Sequence, residues 1–394
     1  MFAGGRGKIE HGVTFSEGTQ LSGAPKLIQT SVMAAFPFTS FRQKLLRWYA
    51  KNARPLPWRD VGDPYFVWVS EIMLQQTTTQ TVQGYFDRFI KAFPTIKSLA
   101  EADLDTVNRH WEGLGYYRRC ALLHKAAKEI VIRFNGEFPR NFSDVHKLPG
   151  IGRYTAGAVL SIAFDQRLPI LETNTIRLHA RLLAMRGDLM RGEANTRLWE
   201  FAEAILSRTG SGKLNQALMD LGSLVCTPKS PKCTECPVVA FCESAKFGLQ
   251  MEIPSPKTKE PKEHRTEVAL LVRKRGKTLL IRYPEGQRWA GLWDFPRALT
   301  KAELPLALVT DTVFQDRLSK LTGRKLIPGR LICSLKHSVT KYRITLFFCE
   351  GTDAGQSDKK SLCEIRWATS AELQALPLNS TARKLVQREH KTET

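Results

Sequence analysis

The sequence predicts a multidomain protein, an all-α body followed by a smaller α+β domain. Three observations carry that reading. Helical periodicity runs from about Phe38 to Phe247, a Pro- and Lys-rich break follows at 253–265, and alternation with period two takes over beyond it. In the first part, Phe41 to Tyr49 places Leu45, Trp48 and Tyr49 on one helical face. Cys120 to Val131 is a second amphipathic run, and Asn215 to Val225 a third. Pro and Gly punctuate these runs at intervals suited to short helix connections. Beyond the break, Val268–Val272 and Thr278–Arg282 flank a turn at Arg275-Gly276, a hairpin signal. Leu331–Leu335 and Tyr342–Cys349 read as a second strand pair. The boundaries expected are a disordered leader over 1–36, the helical body over 37–252, a linker over 253–265, the second domain over 266–388 and a tail over 389–394.

Charge narrows the function. The 394 residues carry 59 Lys+Arg against 38 Asp+Glu, a formal net charge of +21 and a pI of about 9.8. A protein this basic is suited to a polyanion, and nucleic acid is the leading candidate. A merely basic surface is the alternative. No apolar stretch is long enough to span a membrane, and the N-terminus has no continuous apolar segment of the signal-peptide kind. Four of the eight cysteines crowd between Cys226 and Cys242, whereas Cys120, Cys333, Cys349 and Cys363 are scattered. Clustering in one short segment favours metal in a reducing compartment over a disulfide framework. A cytoplasmic, nucleoid-associated monomer is the expectation for a bacterial chain.

Cys226, Cys233, Cys236 and Cys242 stand at C-x6-C-x2-C-x5-C. Four thiolates so close can surround a tetrahedral zinc or the corners of a cubane, and spacing alone leaves both open. Following a helix of the form Asn215-Gln216-Ala-Leu-Met-Asp220-Leu-Gly, the segment resembles the [4Fe–4S] segment of the endonuclease III superfamily of DNA glycosylases. The resemblance implies an iron–sulfur cluster.

Two further blocks extend it. Leu148-Pro-Gly150-Ile-Gly152-Arg153-Tyr154 is a Gly-x-Gly turn opening a helix, where free backbone N–H groups and the positive dipole end suit a phosphate. Alone it is equally a plain tight turn; with Lys147 and Arg153 flanking it, it resembles the superfamily's helix-hairpin-helix. In Trp68-Val-Ser-Glu71-Ile-Met-Leu74-Gln75-Gln76-Thr77 a carboxyl sits in an apolar run. A lone helical Glu is usually solvated, but apolar surroundings would raise its pKa and keep a proton available. The block resembles the adenine-specific branch, the MutY-type A/G mismatch glycosylases. The resemblance implies that Glu71 protonates departing adenine and that Trp58, Arg59 and Gln216 line the adenine pocket. It also implies that Leu74, Gln75, Gln76, Tyr116 and Tyr117 contact DNA with Gly150, Gly152 and Arg153. The partner implied is duplex DNA with A:G or A:8-oxoguanine mispairs.

Cleavage of a glycosidic bond needs a second carboxylate to stabilise the positive sugar. The family has Asp-Gly-Asn where this chain has Glu172-Thr173-Asn174. The carboxylate and the Asn are kept, but the acid is longer and the Gly is lost. Either the loop is rebuilt around Glu172, or activity is reduced or redirected. Tyr154 occupies the position where the bifunctional branch has a Schiff-base Lys, so strand cleavage is not expected. The alternatives are a bifunctional oxidised-pyrimidine glycosylase/lyase and a catalytically weak mismatch-binding protein.

From about 266 to 388 the chain resembles the Nudix-like domain of the same branch, through Trp289-Ala-Gly-Leu-Trp293-Asp-Phe295-Pro296. No run of acids of the Nudix-hydrolase type is present, and Mg²⁺-dependent hydrolysis is not expected. Where the family reads 8-oxoguanine with Phe-Ser-His, this chain has Val339-Thr340-Lys341, with His337 and Ser338 just before. His337, Ser338 and Thr340 are the lesion-recognition candidates.

Overall fold

A computed structural model describes residues 35–59, 61–255, 261–300 and 311–393. The helical body comprises α1 (Phe38–Asn52), α2 (Pro64–Leu74), α3 (Thr79–Ala92), α4 (Ile96–Glu101), α5 (Leu104–Trp111) and α6 (Arg118–Phe134). It continues with α7 (Phe142–Lys147), α8 (Arg153–Phe164), α9 (Thr173–Leu182), α10 (Gly192–Ile205), α11 (Ser211–Leu224) and α12 (Glu243–Lys246). The body has two apolar cores. Residues of α2 to α8 form one, around Trp68, Phe89 and Trp111. The other joins α1 to α9, α10 and α11, around Phe41, Leu45 and Phe201. Helix α11 packs against α8, α9 and α1 and so ties the halves together.

Local chemistry explains the helices that matter. Asp63 caps α2, its side chain accepting the Tyr65 N–H at 2.8 Å, and Pro64 occupies the first turn, where a missing N–H costs nothing. Helix α2 is apolar nearly all round, so from Val67 to Met73 every side chain is buried. In α11, a Cβ at Gly222 would lie 2.8 Å from Asn174 Cβ and 2.9 Å from its carbonyl; only glycine lets α11 sit this close to the start of α9.

The second domain has β1 (Glu263–Lys274), β2 (Lys277–Arg282), β3 (Trp293–Asp294), β4 (Arg297–Thr300), α13 (Thr312–Thr322), β5 (Arg324–Val339), β6 (Tyr342–Gln356), β7 (Glu364–Ala368), α14 (Ser370–Ala375) and α15 (Ser380–Glu393). Its sheet is mixed, in the order β3-β2-β1-β6-β5. Both predicted hairpins form, β1–β2 around Arg275-Gly276 and β5–β6 around Thr340-Lys341. The central pairing is parallel, β1 with β6, from Glu263 opposite Tyr342 to Val272 opposite Gly351. Phe314 and Leu318 of α13 cover one face, and Leu385 and Val386 of α15 the other.

Boundaries shift from those expected. Most of the predicted leader, 1–34, lies outside the described residues, but Phe36 belongs to the body: it is 7% exposed and its ring packs on Phe41, Phe201 and Phe241. Ile253, placed in the linker, is fully buried, and its carbonyl accepts Arg181 Nε at 2.7 Å. Strand β1 starts at Glu263 rather than 266, because its pairing with β6 extends back to Tyr342. Residues 389–393 of the predicted tail are the end of α15, and Thr394 lies outside the described residues. Among the described residues no helix is long and apolar enough to cross a membrane.

The domains dock. Leu292 is buried in the body's first core, and Arg282 pairs with Asp105 at 2.9 Å. Arg383 of α15 binds Glu112, just before the Gly113–Tyr117 loop, at 2.6 and 3.1 Å, each side chain only 8% exposed. Removing one partner of a buried pair strands the other charge. Arg383→Ala should therefore lower the unfolding free energy in urea by roughly 3 kcal/mol. The double replacement Arg383→Met with Glu112→Gln should recover only part of that, because the carbonyls of Leu373, Gln374 and Leu376 also lose their donor; equal losses would show that the ion pair is not what is being lost.

Candidate active site

Glu71 lies on the buried side of α2, 4% exposed. Burial pushes its carboxyl from an ordinary 4.5 up to about 7, against the lowering effect of the Tyr154 hydroxyl, which donates to Glu71 Oε2 at 2.5 Å. The negative charge of Glu172 raises it further and Arg59 lowers it. Glu71 can thus hold a proton near neutrality. Because an unfolded chain releases that proton near 4.5, the fold loses this contribution as pH rises from about 4.5 through 7.

Glu172 is the N-cap of α9. Its Oε2 accepts the Asn174 N–H at 2.8 Å and Asn174 Nδ2 at 3.1 Å, and its Oε1 accepts the Thr175 N–H at 2.9 Å. Thr175 Oγ1 returns a bond to the Glu172 N–H at 2.8 Å, completing a capping box. The longer acid is thus built into its loop. Burial raises the Glu172 carboxyl, opposed by the backbone N–H groups of Asn174 and Thr175. Asn174 is itself held by Arg177, whose Nη2 donates to Asn174 Oδ1 at 2.9 Å. A protonated carboxyl and a donor-supported carboxylate whose charge it senses can serve as acid and cation stabiliser.

The pocket beside Glu71 is lined by Trp58, Arg59, Leu74, Ile162, Gln216 and Met219, among others. Trp58 packs edge-on to Phe86, and Gln216 Oε1 accepts the Tyr49 hydroxyl at 3.2 Å. Arg59 is not free: both its Nη atoms bind buried Asp220, at 2.6 and 2.7 Å. Arg54 binds Asp220 as well, and Thr79 through Nη1 at 3.2 Å. Sequence reasoning assigned roles to neither Asp220 nor Arg54. An Asp in the otherwise apolar Ala217–Leu221 stretch was the available signal, since a buried carboxylate requires cationic partners.

The predicted DNA-facing residues divide. Gln76 and Tyr116 are exposed, Tyr116 to 54%, and both have positive φ, 60° and 49°. Gln75 and Leu74 are half-buried at the end of α2, with Gln75 Nε2 3.5 Å from Thr155 Oγ1. Tyr117 is not brought to that surface: it is 7% exposed in the core and its hydroxyl accepts the Gly113 N–H at 3.1 Å, because α6 begins there and turns it inward. Gly150, at φ +78°, sits where a Cβ would meet Leu122 Cβ at 2.8 Å, and exposed Gly152 caps α8. Exposed Arg153 stacks on Trp199, 3.8 Å from the ring centre. In the second domain Ser338 and Thr340 are exposed near the β5–β6 turn. His337 is not brought to them. Alternation along β5 turns it to the other face, where its Nε2 lies 3.2 Å from Arg297 Nη2.

All four clustered cysteines form no disulfide and line one recess with Arg181 and Val238. Arg181 Nη1 lies 3.3 Å from Cys226 Sγ, and the carbonyls of Thr227 and Pro228 hold the same guanidinium. Burial pushes Cys236 up to about 12 and Cys242 to about 11, so the thiolates need a cationic group. Among the described residues no three such groups converge as around a single ion. Four cysteines around one recess suit a cubane held by one thiolate at each corner.

Residues 69–204 match the HhH-GPD superfamily of base excision DNA repair proteins, 226–242 the iron–sulfur binding domain of endonuclease III, and 267–388 the NUDIX domain. The chain is 40% identical over 262 residues to a protein named adenine DNA glycosylase in Buchnera aphidicola subsp. Schizaphis graminum, covering 66% of this chain and 76% of that one. It is 35% identical over 310 residues to the protein of that name in Rattus norvegicus (66% and 60% covered) and 40% over 215 residues to that in Homo sapiens (52% and 39%). The cofactor of the cysteine segment is a [4Fe–4S] cluster.

Two outcomes are expected. Protein purified without oxygen should contain iron and absorb broadly in the visible; stoichiometric zinc without iron would contradict the cluster. Infrared difference spectroscopy should show the protonated carbonyl band of Glu71 lost through pH about 7 and absent in Glu71→Gln. Tyr154→Phe should move that titration upward, since the tyrosine bond favours the ionised form. A downward move would contradict this account of Glu71.

Proposed function

The chain belongs to the adenine DNA glycosylase family, and from that premise we propose that it removes adenine paired with guanine or 8-oxoguanine in duplex DNA, acting as a monomer. The observation that supports this reading most is Glu71 itself, which lines the pocket, is bonded by the Tyr154 hydroxyl and is raised by the charge of Glu172. The steps follow from the chemistry of these side chains. Adenine is extruded from the stack into the pocket, at a cost of a few kcal/mol that is lower for a mismatched base. Glu71 delivers its proton to the departing base while Tyr154 fixes the orientation of the carboxyl. The Glu172 carboxylate, held by Asn174 and the start of α9, faces the developing sugar cation, where a pre-aligned charge in a water-poor site stabilises it strongly. Water then adds to the sugar cation at C1′ and gives up a proton, which restores the Glu71 carboxyl. Tyr154 cannot form a Schiff base, so the strand stays intact. The cluster takes no part in these steps: Arg177, which donates Nε to the Cys226 carbonyl at 2.8 Å, fastens the cysteine segment to α9.

The lesion preference rests on the β5–β6 turn. Thr340 exposes a hydroxyl that donates to its own Val339 carbonyl at 2.8 Å, and Ser338 stands exposed two residues before it. Reading 8-oxoguanine with these hydroxyls and Lys341, in place of the family's Phe-Ser-His, implies a milder preference over guanine than a wedge-bearing turn provides.

Single-turnover adenine release from duplexes with A opposite 8-oxoguanine, G, T or C tests the assignment; equal rates on all four would remove the mispair specificity. The rate should fall above pH about 7 as Glu71 ionises, and fall on the acid side as Glu172 protonates, above the ordinary carboxylate value. Glu172→Gln should abolish release. Glu172→Asp should lower it by roughly 100-fold, because the loop is built for the longer side chain. A tenfold gain instead, about 1.4 kcal/mol of barrier, would mark the native Glu as a handicap and favour the mismatch-binding reading.

A further inference from the structure

Arg119, in the first turn of α6, is half-buried among neutral oxygens. Its Nη1 donates to the carbonyls of Ile72 at 2.8 Å, Met73 at 2.9 Å and Gln75. Its Nη2 donates to Thr77 Oγ1 at 3.3 Å and to the carbonyls of Leu114 at 3.4 Å and Gly115 at 3.2 Å. The guanidinium lies 5.5 Å from the ring centres of both Trp111 and Tyr116. One side chain therefore satisfies the last turn of α2, the Gln75–Thr77 turn after it and the Leu114–Tyr116 loop.

Helix α2 has no basic residue of its own in its last turn, and its orphan carbonyls favour a cation. Arg119 supplies that cation from another element. Without a carboxylate partner, burial pulls its pKa down to about 10, so the site retains a charge at a desolvation cost. Each of the two loops also holds one non-glycine residue at positive φ, Gln76 and Tyr116, and these are the residues exposed at the tips. Such conformations persist where surrounding contacts enforce them.

We propose that Arg119 is a positioning residue for base extrusion, locking the Gln75–Thr77 turn and the Tyr116 loop into one rigid wedge at the end of the helix that carries Glu71. This rests on the reading of these two loops as the elements that enter DNA. Side chains pushed into a base stack must resist the force that restacks the duplex, and two loops sharing one guanidinium yield together or not at all. An ordinary helix cap would affect stability, and would slow excision equally on every substrate.

The test measures single-turnover adenine release by wild type, Arg119→Lys and Thr77→Val. Two duplexes are used, one with adenine opposite 8-oxoguanine and one with adenine opposite an abasic analogue, where no partner base holds it in the stack. Lysine keeps the charge but lacks the planar fork. Thr77→Val leaves Arg119 whole and removes one acceptor. Arg119→Lys should slow release from the paired duplex by roughly 100-fold and from the unpaired duplex far less. Thr77→Val should act in the same sense with smaller size. Equal slowing on both duplexes, or no slowing, overturns the proposal. Should Arg119→Lys fail to fold, Thr77→Val decides by the same criterion. Wild-type protein that releases adenine from neither duplex would overturn the proposed activity instead, so the two failures are distinct.

Discussion

Burial of one carboxyl organises this protein. Helix α2 is apolar on nearly every side, and Glu71 is carried into that setting with Tyr154 as its hydrogen-bond partner. Desolvation raises the carboxyl to about 7, so the neutral acid persists up to near-neutral pH, which is the property a proton donor needs. The surrounding architecture serves that state. Helix α8 brings Tyr154, α9 brings Glu172, and α11 closes against both.

The charges around the pocket are balanced so that the acid keeps its proton. A free guanidinium beside Glu71 would ionise it. Arg59 is instead held by Asp220, shared with Arg54, and Arg59 is the weakest of the influences resolved on Glu71. The buried Asp220 is in turn kept ionised by the two arginines. Such a network is costly to break at any member, because the remaining charges stay buried and unpaired. Along α9, Glu172 stands at the N-terminal end, and Arg177 and Arg181 reach the cysteine segment through Cys226. One short helix thus joins the second carboxylate to the iron–sulfur segment.

Much of this was legible in the residues. Helical and alternating periodicity separated the two domains, because burial on one face imposes its period on the chain. The hairpin at Arg275-Gly276 followed from local turn chemistry, and the β5–β6 pair from its alternation. The cysteine spacing, Glu71 in its apolar run, Tyr154 and Asn174 beside Glu172 were all visible as local patterns. Tertiary structure decided what depends on distant partners. The parallel pairing of β1 with β6 joins strands some 70 residues apart in sequence, and no local signal marks a partner at that distance. Tyr116 and Tyr117 are identical in type, and only the start of α6 determines that one is exposed and the other buried. His337 was separated from Ser338 and Thr340 by strand alternation once the register was set. The Asp220 network and the Arg119 contacts depend on side chains converging from several elements. A residue's type states which bonds it can make, but its partner is chosen only when packing brings the elements together.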